Sequence, residues 1–351
     1  MSQKYHIAIF GCQMNIADAE RVASILENLK YKKTENINLA DLVVIVMCSV
    51  RQSAVDRVFG IAEKLKNKNK EILLTGCVLE KDKEKFSEKF NHIIDIKDIN
   101  KIPEILNKKI KINSNNYLEI PPKYFSEKII YVPIMTGCNN FCSYCVVPYT
   151  RGREISRSAK KIISEIKKAL KNGAKEIWLL GQNVNSYKYG KINFPKLLKM
   201  VNDVQGDFIL NFTTSHPKDF SDELISTMTK CKKLSMDLNL PIQSGDDEIL
   251  KKMNRPYTVL QYKTLVKKIR KALPNIRLST DIIVGFPGET KKQFNNTFKI
   301  LKEIGYGVAF INKYSPRKGT SAFKLKDDVA WSEKKRREKI LIDLVNAKNK
   351  K

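Results

Sequence analysis

The sequence predicts an α/β protein, with an open parallel α/β sheet domain at the N-terminus followed by a partial (βα)6 barrel. Three observations carry that expectation. The chain has 351 residues, a length that suits two domains better than one. Short apolar runs of strand length alternate with segments whose apolar residues recur at helical spacing, which is the pattern of parallel βα units. Hydrophobic residues make up 42% of the chain, enough to fill a core at this length even with 29% charged residues.

The runs His6–Phe10, Leu42–Met47 and Glu71–Thr75 have the length and continuous apolarity of buried parallel strands. Between them Val22, Ile25, Leu26 and Leu29, and then Val55, Val58, Phe59, Ala62 and Leu65, mark helices. A fourth run, His92–Ile96, extends the sheet, and Pro121-Pro122 in a polar stretch reads as the way out of the domain. The expected boundaries are residues 1–115 for this domain and 116–127 for the linker. The barrel, at 128–325, takes its strands from Ile129–Met135, Glu176–Leu180, Phe208–Phe212, Met236–Leu240, Arg277–Val284 and Val308–Tyr314. Helical patterns lie between them at Ala159–Leu170, Asp222–Met228, Gln261–Leu273 and Lys291–Ile304, with Gly173 and Gly305 placed as C-caps. Residues 326–351 form a charged helical tail.

No apolar run approaches the roughly 18 residues of a membrane span, and the N-terminus has no apolar signal core before a small-residue cleavage site. The expectation is a cytoplasmic monomer without a membrane partner. With 65 Lys+Arg against 37 Asp+Glu the formal charge is +28, the footprint of a protein that meets a polyanion, nucleic acid first. A Lys-rich, generally solvated surface is the plainer reading of the same number.

Seven cysteines without an export signal favour metal or thiol chemistry over disulfides. Cys12, Cys48 and Cys77 follow the first three strands, at the sheet edge where open α/β folds keep ligands. Singly each is as well a small buried hydrophobe; together, two of them after glycine, they suit a shared metal site. Cys138, Cys142 and Cys145 stand in C-x3-C-x2-C spacing directly after the first barrel strand, in the loop where such barrels hold their chemistry. Three thiolates without a nearby fourth ligand suit neither a structural zinc site nor a ferredoxin run. On a four-iron cluster they leave one iron open. Arg151, Arg153 and Arg157 follow and suit phosphates, carboxylates or a surface ion-pair network. Gly285 and Gly288 suit a tight turn. His6, His92 and His216 read as structural, and Cys231 as a buried thiol.

The C-x3-C-x2-C motif with Tyr144 before its last cysteine resembles the signature of the radical S-adenosylmethionine enzymes, and the partial barrel is similar to theirs. The resemblance extends to the radical S-adenosylmethionine methylthiotransferases through GCQMN (Gly11–Asn15), GQNVNSY (Gly181–Tyr187), TTSHP (Thr213–Pro217), LPIQSG (Leu240–Gly245), MNRPY (Met253–Tyr257), TDIIVGFPGET (Thr280–Thr290) and YSPRKGT (Tyr314–Thr320). GCQMN and GQNVNSY resemble its MiaB branch, which methylthiolates C2 of N6-isopentenyladenosine next to the tRNA anticodon. A sister branch acts on N6-threonylcarbamoyladenosine. A non-catalytic iron-sulfur RNA-binding protein is the reading from another class.

The resemblance implies two [4Fe-4S] clusters and S-adenosyl-L-methionine. Cys138, Cys142 and Cys145 hold the radical-generating cluster, and Cys12, Cys48 and Cys77 a second one that carries sulfur. Tyr144, Gly181, Gln182, Asn183, Gln243 and Ser244 are the cofactor-binding candidates, although polar residues at strand exits equally form turns. Implied partners are the tRNA anticodon loop, a reducing electron donor such as flavodoxin or ferredoxin, and a sulfur donor. Two departures stand out. Val46-Met47-Cys48-Ser49-Val50-Arg51 replaces the family's Asn-Thr before the cysteine. No strand-rich segment follows YSPRKGT, so no C-terminal TRAM β-barrel is expected.

Overall fold

The computed structural model describes residues 2–50, 52–66, 70–112, 114, 116–213 and 215–349. Arg51, Thr214 and the last two residues of the tail lie outside them. The fold divides into two compact units, Met1–Cys138 with Val146–Ala174, and Asn139–Cys145 with Lys175–Lys351.

The first unit is built on a wholly parallel sheet of five strands in the order β2-β1-β3-β4-β5. In chain order these elements are β1 (Lys4–Phe10), α1 (Gln13–Asn28), β2 (Lys32–Lys33), β3 (Leu42–Cys48), α2 (Gln52–Lys66), β4 (Glu71–Cys77), α3 (Glu80–Phe86) and β5 (His92–Ile93). Every residue of β3 is buried, which is why its sequence is apolar without alternation: helices cover both faces. Val43, Ile45 and Met47 of β3 pack with Val58, Ala62 and Leu65 of α2 and with Phe86 and Phe90.

Three expectations change here. β3 and β4 run one and two residues further than their apolar runs, so Cys48 and Cys77 are the last strand residues rather than loop residues. β5 is cut to His92–Ile93, because the Asp95 side chain accepts the Lys97 N–H at 2.9 Å and turns the chain into a 3-10 helix. The edge strand β2 consists of two exposed lysines and has no apolar signature.

The unit continues through α4 (Ile102–Ile105), β6 (Ile129–Pro133), β7 (Met135–Thr136), α5 (Val147–Arg151), β8 (Ile155–Ser156) and α6 (Ala159–Lys171). The expected strand Ile129–Met135 thus divides, and β7 pairs antiparallel with β8. Residues after Pro121-Pro122 are tied to α1: Lys123 N–H donates to the Glu20 carbonyl at 2.9 Å and Phe125 N–H to its carboxylate at 3.0 Å.

The second unit alternates strands and helices as the sequence predicts. Its elements are β9 (Glu176–Leu180), the hairpin β10 (Lys188–Tyr189) and β11 (Ile192–Asn193), α7 (Phe194–Asn202), β12 (Ile209–Phe212), α8 (Asp222–Lys230) and β13 (Asp237–Asn239). They continue with α9 (Asp247–Lys252), α10 (Val259–Ala272), β14 (Arg277–Val284), α11 (Lys291–Ile304), β15 (Val308–Lys313) and α12 (Trp331–Asn349). β12 pairs parallel with β9, and β14 runs parallel between β13 and β15. Gly305 closes α11 with φ 65°, a left-handed conformation that glycine adopts without strain.

The charged helix α12 is docked by charge pairs, of which the one to Glu289 is buried. Lys334 donates to Asp327, and Arg337 donates to Glu289 at 2.7 Å. Among the described residues no helix is long and apolar enough to cross a membrane.

Candidate functional site

The three N-terminal cysteines are brought together by strand register. β3 and β4 pair so that Cys48 lies opposite Cys77. The neighbouring Cys77 thiol holds Cys48 below its usual range, while Cys48 together with burial holds Cys77 well above it. Cys12 enters at the exit of β1, where it caps α1. Asn15 joins the three: its Oδ1 accepts from the Cys12 N–H at 3.2 Å and from its Sγ at 3.5 Å, and its Nδ2 donates to the Met47 carbonyl at 3.3 Å and approaches Cys77 Sγ at 4.0 Å. Glycine before each of two cysteines follows from crowding. A Cβ on Gly11 would meet Asn15 Oδ1 at 2.0 Å, and one on Gly76, at φ +109°, would meet the Met47 carbonyl oxygen at 2.3 Å.

Arg151, at the end of α5, is buried against this cluster. Its Nε donates to Cys77 Sγ at 2.9 Å, Nη1 to the Tyr117 hydroxyl at 2.9 Å and Nη2 to Asp18 at 2.5 Å. Burial opposes its charge, but Asp18, Cys77 and Tyr117 outweigh burial and keep it protonated. Arg157 is likewise spent inside the unit, donating to the Pro133 carbonyl at 2.6 Å and to Glu165 at 2.5 Å. For Arg151 and Arg157, then, the carboxylates expected of them belong to the protein itself.

The C-x3-C-x2-C loop is shaped by its backbone. Cys138 N–H donates to the Gly152 carbonyl at 3.1 Å, and Cys145 N–H to the Cys142 carbonyl at 2.9 Å. MNRPY holds the segment 139–145. Ser143 N–H donates to the Met253 carbonyl at 3.0 Å, and Asn254 Nδ2 to the Asn140 and Phe141 carbonyls at 3.2 and 2.9 Å. Arg255 is buried, with Nη1 3.7 Å from Cys142 Sγ, Nη2 donating to the Pro241 carbonyl at 2.8 Å and Nε to the Tyr257 hydroxyl at 2.7 Å. Composition and spacing alone gave no signal for Arg255, whose role depends on a contact across 113 positions of sequence.

The cofactor candidates are placed as follows. Tyr144 packs against Ile249, Met253, Phe286, Tyr314 and Ala322. Gly181, Gln182 and Asn183 follow β9, and Asn183 Nδ2 donates to Asp219 at 2.7 Å. Gln243 adopts φ 70°, its N–H donating to the Asp281 carbonyl at 2.9 Å. Ser244 is buried; its Oγ lies 3.5 Å from Thr297 Oγ1 and accepts the Asp246 N–H at 3.3 Å. Gly285, at φ 67°, opens a tight turn in which its N–H donates to Glu289 at 2.6 Å. Cys231 caps α8, and burial pushes its thiol to about 11.

Among the described residues no three His, Cys, Asp or Glu side chains surround one point closely enough for a single metal ion. The N-terminal cysteines, with the N–H donors of Asn15 and Arg151 at Cys77 sulfur, suit an iron-sulfur cluster instead, since a cluster is larger than an ion and takes its thiolates at separate corners.

Comparison with known proteins decides the family. The Radical SAM superfamily matches residues 132–301, and the uncharacterized protein family UPF0004 matches residues 4–96. A tRNA-2-methylthio-N(6)-dimethylallyladenosine synthase of Clostridium novyi (strain NT) is 45% identical over 98% of this chain and 81% of its own length. The enzyme of that name from Thermoanaerobacter sp. (strain X514) is 42% identical over 97% and 78%. The chain belongs to this family of tRNA methylthiotransferases. Two solved structures share its fold. The radical S-adenosylmethionine methyltransferase TsrM of Kitasatospora setae, with cobalamin and a [4Fe-4S] cluster bound, superimposes with TM-score 0.65 at 12% identity, over 92% of this chain and 77% of that one. The cobalamin-dependent radical enzyme OxsB gives 0.62 at 10%, over 99% and 56%.

His216 supplies a pH test of this region. Its Nδ1 accepts the Lys218 N–H at 3.3 Å, and burial, with Arg255 and Lys218, lowers its pKa to about 2. The unfolded ring titrates near 6.5, so the stability held by the neutral ring is present above that pH and is lost as pH falls. The loss is about 1.4 kcal/mol per pH unit once well below 6.5. Glu20, raised to about 7 by burial, titrates with the opposite sign, so a variant must be compared with the parent. In urea unfolding at pH 7 and pH 5.5, His216→Asn should lose less stability than the parent on acidification; equal losses would refute the assignment.

Proposed function

We propose that this enzyme methylthiolates C2 of N6-isopentenyladenosine (dimethylallyladenosine) next to the anticodon of tRNA, using two [4Fe-4S] clusters and S-adenosyl-L-methionine. The observation that carries this reading is the coexistence of two three-cysteine sets in a chain that matches a synthase of that name over 98% of its own length and 81% of the synthase's. An aromatic C–H is beyond ordinary acid, base or nucleophilic side chains at neutral pH. When bound, the cofactors supply the missing chemistry: a 5′-deoxyadenosyl radical that removes the hydrogen and a sulfur that is methylated and inserted.

The protein's own residues do the rest. Cys138, Cys142 and Cys145 are assigned to the radical-generating cluster because three ligands in C-x3-C-x2-C spacing would leave one iron of a four-iron cluster for S-adenosylmethionine. Cys12, Cys48 and Cys77 are assigned to the sulfur-carrying cluster, supported by their shared sheet edge and by the N–H donors of Asn15 and Arg151. Arg255 orients Cys142, and Asn254 fixes the carbonyls beside it. Tyr144, Gly181, Gln182, Asn183, Gln243 and Ser244 are assigned to cofactor contact, from backbone or side chain. Residues 1–115 then form the auxiliary-cluster domain, 116–127 its linker, 128–325 the radical core and 326–351 the tail. A flavodoxin- or ferredoxin-like donor supplies electrons and a separate donor supplies sulfur to a monomer in the cytoplasm.

Reconstituted protein should bind about eight irons, four for each cluster. Replacing Cys138, Cys142 and Cys145 with Ala should halve the iron and abolish 5′-deoxyadenosine production. Replacing Cys12, Cys48 and Cys77 should halve the iron, retain 5′-deoxyadenosine production and abolish methylthiolation. An N-terminal triple variant with full iron that still methylthiolates tRNA would remove the sulfur-carrying assignment.

The charge of +28 generates a second expectation. Contacts from Lys and Arg to phosphate should dominate tRNA affinity, which should therefore fall steeply between low and physiological salt. A filter-binding isotherm unchanged by salt would contradict it.

A further inference from the structure

Arg151 is buried, 2% exposed, yet carries a full charge into the cysteine site. Its three nitrogens are divided among three partners: Nε 2.9 Å from Cys77 Sγ, Nη1 2.9 Å from the Tyr117 hydroxyl and Nη2 2.5 Å from Asp18. A planar guanidinium can serve three directions at once, whereas an ammonium on a flexible stem cannot reproduce that fork. Tyr117 is in turn within 3.3 Å of Thr136 Oγ1, so the head group is held from behind. Asp18 sits on α1 and pairs with Nη2 of the same guanidinium.

We propose that Arg151 is a positioning residue for the auxiliary cluster, fixing Cys77 and setting the cluster's reduction potential through its hydrogen bond and positive charge at Cys77 sulfur. The proposal rests on the assignment of Cys12, Cys48 and Cys77 to that cluster. Reduction adds one electron and leaves the ligands in place, so the reduced cluster is the more negative state and a fixed cation beside it favours reduction. Asp18, a fixed anion, opposes it. Their signs are therefore opposite, a distinction that packing alone does not make.

The experiment uses the full chain with Cys138, Cys142 and Cys145 replaced by Ala, so that only the N-terminal cluster is present. It is reconstituted and titrated with dithionite under EPR observation. Arg151→Gln should move the midpoint to more negative potential, with at least a tenfold fall in the reduced-to-oxidised ratio at fixed potential, about 59 mV for one electron. Arg151→Lys should shift it less. Asp18→Asn, which keeps the arginine, should move it the other way. The double variant Asp18→Asn/Arg151→Gln avoids leaving either charge buried alone and should remain more negative than the parent. Four irons bound with the same midpoint in all variants would overturn the proposal. No iron in the parent would overturn the cluster assignment beneath it.

Discussion

The parallel pairing of β3 with β4 places Cys48 directly opposite Cys77, and the N-terminal site depends on that register. Both strands are buried, and a slip of one residue would move Cys48 away from its position opposite Cys77 and separate the thiols. The remaining members of the site are attached to this pair. Asn15 bonds to the Met47 carbonyl, which fixes the start of α1 and with it Cys12. Gly76 permits the close approach of the two strands at their ends. Arg151 then reaches Cys77 from α5.

Each cysteine set is accompanied by a buried arginine. Arg151 serves Cys77 and Arg255 serves Cys142. A buried guanidinium loses hydration worth several kcal/mol, recovered only when its remaining N–H groups find partners. Here they do: Asp18 and Tyr117 in one case, the Pro241 carbonyl and the Tyr257 hydroxyl in the other. The two sites differ in charge balance. Arg151 faces a carboxylate, while the other partners of Arg255 are neutral oxygens and its net positive field falls on Cys142 and on His216, whose ring stays neutral.

Much of this was legible in the sequence because it depends on local pattern. Apolar runs gave the long strands, and glycine-cysteine pairs at strand ends gave the shared edge. What depends on tertiary contact was not legible. From the sequence Arg151 suits a phosphate, a carboxylate or a surface ion-pair network alike, since nothing in the chain shows that Asp18, Tyr117 and Cys77 surround it. MNRPY has no chemical signature of its own, yet Asn254 and Arg255 hold the cysteine loop. β5 was overestimated because Asp95 turns the chain where the apolar run continues. β2 was missed because backbone pairing alone creates it.

Two distinct cysteine-held clusters are proposed to serve one methylthiolation on isopentenyladenosine. Mass spectrometry of nucleosides tests it most directly, using tRNA that bears N6-isopentenyladenosine, incubated with reconstituted protein, S-adenosylmethionine and a reductant. The expected result is conversion of that nucleoside to its 2-methylthio derivative and no change in tRNA bearing N6-threonylcarbamoyladenosine. Methylthiolation of the threonylcarbamoyl nucleoside instead, or 5′-deoxyadenosine formation with both nucleosides unaltered, would contradict it.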